Sequence, residues 1–367
     1  MTEELGVALI GTGFMGKAHA LAYAQVRPVF GDVPRPRLEI LCDVPQDAAD
    51  RYADQFGFAR ATDDWRAAVT DPAVDVVSIT TPNKFHKEMV CAAAEAGKHI
   101  WCEKPLATTL ADAETMAEAV KAAGVASMVG YNYLKNPTFM HMKRLVDEGA
   151  IGRPIHFRGI VDEDYCADEA SPWSWRSLIA EAGLGTLGDL GCHLVSMAHA
   201  LMGPIETLVS DIETVYPTRP KPGTGEPGPV ENEDIASALV RFRSGVPGVL
   251  MTSRAAWGAK NRISLEVHGT RGALMFDQER LNELRLYRAG DPATAGFTTI
   301  LAGPAHPPYG AFVPAPGHQL GFTEMKVVEA AAFLRAAAGG VAEGPDIGEA
   351  LGIERVIYGI AAVCGHN

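Results

Sequence analysis

The amino-acid sequence predicts an α/β protein with two domains, the first built on a doubly wound parallel sheet. The first observation is that short apolar runs alternate with helix-like segments through the first third of the chain. The second is a change of rhythm near residue 133, after which most strand-like segments follow one another with short turns between them. The third is the length of 367 residues, which suits two domains of ordinary size. The predicted domains are residues 1–132 and residues 133–367.

In the first domain, five apolar runs of strand length alternate with four segments of helical spacing. The predicted strands are residues 7–10, 38–42, 74–79, 99–102 and 125–130. The predicted helices are residues 17–25, 46–56, 84–96 and 110–123. Strands that alternate with helices form βαβ units, and such units produce a parallel sheet with helices on both faces.

The second domain begins with a predicted helix at 138–149, a strand at 154–161 and a helix at 189–202. Five further strands are separated by turns that contain glycine or charged residues, as in an antiparallel meander: 235–242, 248–253, 263–268, 273–276 and 283–287. Residues 217–229 are rich in proline and glycine and are predicted to form a mobile loop. Two helices, 322–338 and 347–363, end the chain, and the last is a candidate to pack back on the first domain.

Composition and charge exclude several classes of function. A net charge of −13 disfavours nucleic acid and anionic membranes as partners. No apolar run reaches the roughly 18 residues that a membrane span needs, and the acidic start of the chain does not resemble a signal peptide. The six cysteines have no C-x-x-C spacing. We therefore expect a cytoplasmic protein with reduced thiols and no metal site.

The segment GTGFMG at residues 11–16 follows the first predicted strand and precedes the first predicted helix. In this context a G-x-G-x-x-G segment is typical of a turn that binds the pyrophosphate of a dinucleotide. Gly11 allows the tight turn, Gly13 lets the backbone approach the phosphates, and Gly16 permits close packing of helix on strand. The free N–H groups of the helix would then face the phosphates. The alternative is a plain turn.

Asp43 ends the second predicted strand and indicates which dinucleotide is bound. A carboxylate at this position can accept hydrogen bonds from the adenosine ribose and would repel a 2′-phosphate. Residues 44–47 supply no lysine or arginine to bind such a phosphate. The sequence therefore favours NAD over NADP.

Three further segments could carry chemistry or line a cofactor site. Lys104 follows the fourth strand, at the edge where ligands bind in open α/β sheets, and a lysine there can donate to a carbonyl or an alkoxide. Asp189 and His193 are four residues apart and would share one face of a helix, an arrangement that suits an acid–base pair. Thr81-Pro82-Asn83 and His86 follow the third strand and could line a nicotinamide pocket. Each segment alone also fits a structural role, such as a surface lysine, a helix cap or a buried histidine.

Taken together, GTGFMG, Asp43, TPNKFH, CEKP and GDLGCH resemble the motifs of the glucose–fructose oxidoreductase / inositol dehydrogenase (Gfo/Idh/MocA) family, over nearly the whole chain. The resemblance implies an N-terminal Rossmann domain and a C-terminal α/β domain with an open, mostly antiparallel sheet that often forms an oligomer interface. It implies a homo-oligomer, either a dimer or a tetramer. It also implies a catalytic set of Lys104, Asp189 and His193, and a cis peptide bond between Lys104 and Pro105.

The expected cofactor contacts lie in the glycine turn, at the ends of the second and third strands and in the EKP segment: Gly11, Gly13, Phe14, Met15, Gly16, Asp43, Thr81, Pro82, Asn83, His86, Glu103 and Lys104. Other stretches resemble family members that oxidise an anhydrosugar. They supply the expected substrate contacts, namely Asn132, Tyr133, Trp175, Arg176 and His306, the last in a lid with Tyr309.

The resemblance implies NAD-dependent oxidation of a neutral sugar, anhydrosugar or polyol at a secondary alcohol. Two alternatives remain open from the residues. One is an NAD-dependent glycosidase, which oxidises its substrate transiently. The other is a dinucleotide-sensing regulator without catalysis, which an intact Lys104, Asp189 and His193 set disfavours.

Overall fold

The computed structural model describes residues 4–363, which form two compact units. The first unit comprises the chain up to Lys135 together with Gly321–Leu351. The second comprises Asn136–Leu320 and the residues from Gly352 onward. Cys364, one of the six predicted thiols, lies outside the described residues.

The first unit is built on a six-stranded sheet. Its elements up to residue 135 are β1 (Glu4–Ile10), α1 (Phe14–Val29), β2 (Arg35–Cys42), α2 (Gln46–Phe56), β3 (Arg60–Thr62), α3 (Trp65–Thr70), β4 (Val76–Ile79), α4 (His86–Glu95), β5 (His99–Cys102), α5 (Leu110–Ala123) and β6 (Ser127–Val129). All paired strands are parallel, in the order β3-β2-β1-β4-β5-β6. The order reverses between β1 and β4, so the carboxyl ends of these strands flank the point where doubly wound sheets bind ligands.

The second unit is built on an eight-stranded sheet. Its elements up to residue 320 are α6 (Pro137–Asp147), β7 (Pro154–Asp162), α7 (Ile179–Ala182), α8 (Cys192–Met202), β8 (Ile205–Glu213), β9 (Thr218–Pro220), β10 (Pro227–Pro229), β11 (Ile235–Phe242), β12 (Pro247–Ser253), β13 (Arg262–Gly269), β14 (Gly272–Asp277), β15 (Glu283–Arg288), β16 (Thr298–Leu301) and α9 (Tyr309–Phe312). The strand order is β16-β15-β14-β13-β7-β12-β11-β8. Neighbours are antiparallel except for β7 and β12. The α/β fold with a mostly antiparallel second sheet is thus confirmed.

The division into units differs from the predicted boundary. Residues 133–367 were expected in the second domain, but α10 (Phe322–Ala337) belongs to the first unit. The reason is burial, because α10 packs against α1 and places Phe333 beside the buried Trp101. The following helix, α11 (Ile347–Val363), has residues 347–351 in the first unit and the remainder in the second.

The segment 217–229, predicted as a mobile loop, contains two short strands. β9 and β10 pair as an antiparallel hairpin within it. The buried Arg219 donates hydrogen bonds to the carbonyl oxygens of Cys166 and Asp168, at 2.7 and 2.8 Å. The Trp173 ring fills the space beside Gly228, where an added Cβ would lie 2.5 Å from the ring. These contacts give the segment a defined structure that its proline and glycine content does not reveal.

Candidate functional site

The glycine turn between β1 and α1 has the geometry of a phosphate cradle. Gly11 has a positive φ of 97°, which favours glycine. A Cβ added at Gly16 would lie 2.1 Å from the carbonyl oxygen of Gly11, so only glycine fits there. Gly13 is exposed, and an added Cβ would meet no atom within 4 Å. The open backbone at Gly13 and the N-terminus of α1 fit the pyrophosphate of a dinucleotide.

Asp43 is held against this turn at the end of β2. One carboxylate oxygen accepts hydrogen bonds from the backbone N–H of Thr12, at 2.9 Å, and from the Thr12 hydroxyl. The other oxygen accepts from the N–H of Val44 at 2.7 Å. The carboxylate is therefore fixed beside the turn, where its remaining acceptor capacity fits ribose hydroxyls.

Phe14 and Met15 open α1 beside the glycines. Phe14 is 73% exposed, and its ring stacks on Phe322 with 5.3 Å between the centroids. Met15 is half-buried. The first turn of α1 thus has an aromatic edge next to the cradle.

His86 joins two loops at the carboxyl edge of the first sheet. One ring nitrogen faces the carbonyl oxygen of Thr81 at 3.0 Å, and the other faces that of Pro105 at 3.0 Å. Burial lowers the pKa of His86, which is fully buried. The side chain therefore ties the loop of Thr81, Pro82 and Asn83 to the loop after β5. Its contact with the cofactor stays a prediction.

Lys104 lies half-buried just after β5. The Lys104–Pro105 peptide bond is cis, as the family resemblance implied. The backbone N–H of Lys104 donates to the carboxylate of the buried Glu103 at 3.3 Å. The first unit thus brings the glycine turn, Asp43 and Lys104 to the carboxyl edge of one sheet.

Asp189 and His193 lie in the second unit, around the start of α8. Asp189 is in a π-helical turn, Leu187–Gly191, and the buried His193 is in the first turn of α8. The sequence analysis expected Asp189 and His193 to share one face of an α-helix. This expectation does not apply directly, because a π turn has more residues per turn than an α-helix. The buried carboxylate of Glu233 accepts a hydrogen bond from the N–H of Leu187 at 2.8 Å and anchors the turn.

Two residues that sequence reasoning missed lie near Asp189 in the structure. The Tyr165 hydroxyl donates to its carboxylate at 2.9 Å, and Glu233 holds the π turn, as described above. Tyr165 lies in the acidic stretch at residues 162–170, whose pattern carries no known motif. Since 24 residues separate Tyr165 from Asp189, no local periodicity could have indicated the contact.

The expected substrate residues fall in both units. Asn132 and Tyr133 are buried in a 3₁₀ turn of the first unit. In the second unit, the guanidinium of Arg176 lies 4.6 Å from the centre of the Trp175 ring. The His306 ring packs against His141 with 4.6 Å between centroids and accepts from the N–H of Gly303.

The expected lid residue Tyr309 is fully buried. Its hydroxyl donates a hydrogen bond to the carbonyl oxygen of His318. The Tyr309 side chain therefore stabilises its own loop.

The described residues contain no cluster of three or more His, Cys, Asp or Glu side chains suited to a metal ion. Within residues 4–363, no helix combines the length and apolar character that crossing a bilayer requires.

A parallel sheet with a glycine cradle and a fixed carboxylate defines the class of NAD-binding oxidoreductases with a Rossmann fold. Residues 5–131 match the oxidoreductase family with this NAD-binding fold, and residues 139–275 match the GFO/IDH/MocA C-terminal domain. The chain belongs to the GFO/IDH/MocA family.

Several relatives cover most of the chain. The levoglucosan dehydrogenase of Pseudarthrobacter phenanthrenivorans is 40% identical over 361 residues, which span 95% of this chain and 93% of that protein. The myo-inositol 2-dehydrogenase of Thermotoga maritima is 31% identical over 275 residues, 75% of each chain. A solved structure of levoglucosan dehydrogenase with NADH and levoglucosan superposes with a TM-score of 0.94 at 38% identity, over 98% of this chain and 97% of that one.

Proposed function

We propose that this protein is an NAD-dependent dehydrogenase that oxidises a secondary alcohol of a neutral sugar, anhydrosugar or polyol. The observation that carries the proposal is the placement of Lys104 at the carboxyl end of β5, on the same sheet edge as the glycine cradle and Asp43. The relatives that act on levoglucosan and myo-inositol support the substrate class.

In the proposed reaction, bound NAD supplies the acceptor for the hydride that the carbinol carbon loses. A ring nitrogen of His193 takes the hydroxyl proton, and the carbon–oxygen double bond forms as both hydrogens leave. Lys104 donates a hydrogen bond to the same oxygen and stabilises its developing negative charge. Asp189 orients His193 or binds a neighbouring hydroxyl.

The proposed sugar contacts are Asn132, Tyr133, Trp175, Arg176 and His306. Aromatic faces suit the C–H face of a sugar ring, and amide, guanidinium and imidazole groups suit its hydroxyls. The absence of a basic cluster in the sequence favours a neutral substrate over a phosphorylated one.

A panel of anhydrosugars, inositols and aldoses, read by NADH absorbance, tests the proposal. We expect turnover with at least one neutral polyhydroxylated ring and a loss of turnover in Lys104→Met without loss of NADH binding. Turnover only with carboxylated or phosphorylated substrates would contradict the proposed substrate class. Release of an aglycone without net NADH would identify the glycosidase alternative, and NADH binding without any turnover would favour the regulator.

We further propose a homo-oligomer, a dimer or tetramer in the cytoplasm, that forms through the second sheet. Val209 and Leu239 are direct partners on β8 and β11, and Leu239 is 60% exposed. Met251, on the adjacent β12, is also exposed. A second copy would cover these apolar side chains. Light scattering should show a smaller particle for Leu239→Lys than for the natural protein, whereas a monomeric natural protein would contradict this assembly.

A further inference from the structure

Four ionisable side chains form a buried ionic cluster in the first unit: His19, Glu103, Lys326 and Glu329. Lys326 and His19 are completely buried, and Glu103 is only 4% exposed. The members come from α1, the end of β5 and α10. No motif in the sequence links these positions, and the proposed reaction does not use Lys326.

Glu103 is the centre of the cluster. Its Oε1 atom accepts a hydrogen bond from the Lys326 ammonium and lies 2.8 Å from Nε2 of His19. Lys326 also donates to Glu329 at 2.7 Å. The His19 ring stacks on Trp101 with 3.7 Å between centroids, which fixes the imidazole in place.

The charges within the cluster are defined by these contacts. Burial alone would raise the pKa of Glu103, but the charge of Lys326 and the hydrogen bond with His19 outweigh it and hold the pKa well below its usual range. Burial and the nearby Lys326 lower the pKa of His19 to about 4, so its ring is neutral at neutral pH. Glu103 is therefore an anion held by one cation and one neutral donor.

Such a cluster is an inefficient way to gain stability. The desolvation of buried charges offsets much of their attraction, and apolar side chains of similar volume often serve as well or better. A role in placing a group is a better explanation where the charged side chain contacts the backbone of a proposed catalytic residue. Glu103 makes such a contact.

The second carboxylate oxygen of Glu103 is hydrogen-bonded to the backbone of Lys104. Oε2 accepts the hydrogen bond from the Lys104 backbone N–H, while Oε1 serves Lys326 and His19. The carboxylate also fills the space beside Gly130, where an added Cβ would lie 2.5 Å from Oε1. One carboxylate thus joins α10 and α1 to the peptide that carries the lysine side chain.

We propose that Lys326 is a positioning residue, which holds the carboxylate of Glu103 and through it the backbone of Lys104. This inference rests on the proposed function, because it requires that Lys104 takes part in catalysis. It gives α10 a part in the chemistry, although its own residues need not touch the substrate.

Lys326→Met and Glu329→Gln form a matched pair that tests the proposal. Both disrupt the hydrogen bond from Lys326 to Glu329, but only the first removes the cation from Glu103. We expect kcat to fall on the order of 10²-fold in Lys326→Met, because small displacements of a reacting group cost about this much. KM for the sugar and Kd for NADH should change little. Glu329→Gln should keep its kcat.

Hydrogen exchange of the Lys104 amide gives a readout that does not depend on turnover. It should be faster in Lys326→Met than in the natural protein, and unchanged in Glu329→Gln. If Lys326→Met does not fold, Glu103→Gln replaces it, because the carboxamide keeps the shape but loses the charge that binds Lys326. The same fall in kcat and the same faster exchange are expected.

Unchanged kcat and exchange in Lys326→Met would overturn the proposal. Equal loss of kcat in Lys326→Met and Glu329→Gln, in proportion to their loss of Tm, would also overturn it, since the cluster would then be structural only. Failure of the proposed function would look different. The natural protein would then oxidise no sugar in the panel, while the exchange experiment would still report on the link to Lys104.

Discussion

The hydroxyl of Tyr165 donates a hydrogen bond to the carboxylate of Asp189, with 2.9 Å between the two oxygens. Although Tyr165 is 39% exposed, desolvation around its hydroxyl and the negative charge of Asp189 raise the pKa of Tyr165 well above its usual range. Tyr165 is therefore a neutral donor at every pH of interest. The orientation of Asp189 is set in part by a residue outside every motif in the sequence.

Replacing Tyr165 with Phe should lower kcat/KM by about 10- to 100-fold, because a hydrogen bond to a charged group contributes about 1.5–3 kcal/mol. The measurement is the initial rate of NADH formation with the substrate found in the panel. Tyr216→Phe is the control, since the Tyr216 hydroxyl donates to the carbonyl oxygen of Ala167 in the same segment. Full activity in Tyr165→Phe, or an equal loss in the control, would show that the contact with Asp189 has no special role.

Replacing His193 with Ala should reduce kcat by roughly 10²–10⁴-fold, the usual contribution of a positioned acid–base group. Kd for NADH should barely change, because the glycine turn and Asp43 are untouched. The rate of sugar oxidation by the natural protein should rise with pH, since a proton acceptor must be deprotonated to act.

His199→Gln is the matched control for His193→Ala. His199 lies on the same helix, and its ring accepts a hydrogen bond from the N–H of Ile205 at 3.3 Å. The His199→Gln variant should have a lower Tm, while its kcat should stay near that of the natural protein. If His193→Ala retains near-full turnover on the true substrate, the proposed base is wrong.

Replacing Asp43 with Ser should narrow the preference for NAD over NADP, because the carboxylate that repels a 2′-phosphate is removed. The ratio of kcat/KM for the two cofactors is the measurement. Asp54→Ser, which removes an exposed carboxylate from α2, should leave the ratio unchanged. Equal use of both cofactors by the natural protein would contradict the assignment of Asp43.

Glu329→Gln should change how stability depends on pH. Burial raises the pKa of Glu329 to about 7, despite the opposing charge of Lys326. The folded protein therefore keeps a proton that the unfolded chain releases above the ordinary value of 4.5. The retained proton stabilises the folded state fully below pH 4.5, and this stabilisation is lost as the pH rises to about 7.

The expected result is that the Gln variant gains stability relative to the natural protein as the pH rises from about 4.5 to about 7, by roughly 3 kcal/mol at most. His19, whose folded pKa is about 4, makes stability rise with pH up to about 6.5, but it is present in both proteins. Denaturant unfolding across this range provides the measurement. Parallel curves for the two proteins would mean that Glu329 does not keep its proton.

The sequence predicted the elements whose signal is local. The buried strand β5 was located at its observed bounds because a continuous apolar run lies between two turns, and β11 because its side chains alternate between buried and exposed. The edge strand β8 was missed, since all of its side chains are exposed or half-buried and the apolar pattern is weak. The short β3 and α3 were missed for lack of length.

In the candidate site, too, the residues with a local sequence signal were predictable and those that depend on tertiary contacts were not. The glycine turn and Asp43 were predictable because each carries a physical requirement that is visible in the residue type. The contact of Glu103 with Lys326 was not, because 223 residues separate them and only the packing of α10 on α1 brings them together. The role of Tyr165 likewise depends on tertiary structure alone.

The first unit is completed by Gly321–Leu351, which the ribosome synthesises after almost all of the second unit. A nascent chain that ends at residue 320 contains Glu103 but lacks Lys326, the lysine that neutralises its carboxylate. Vectorial synthesis therefore cannot finish the nucleotide-binding half first. For the same reason, a truncation at residue 135 is a poor minimal fragment, and a chimera that exchanges this half between relatives must carry α10 with it.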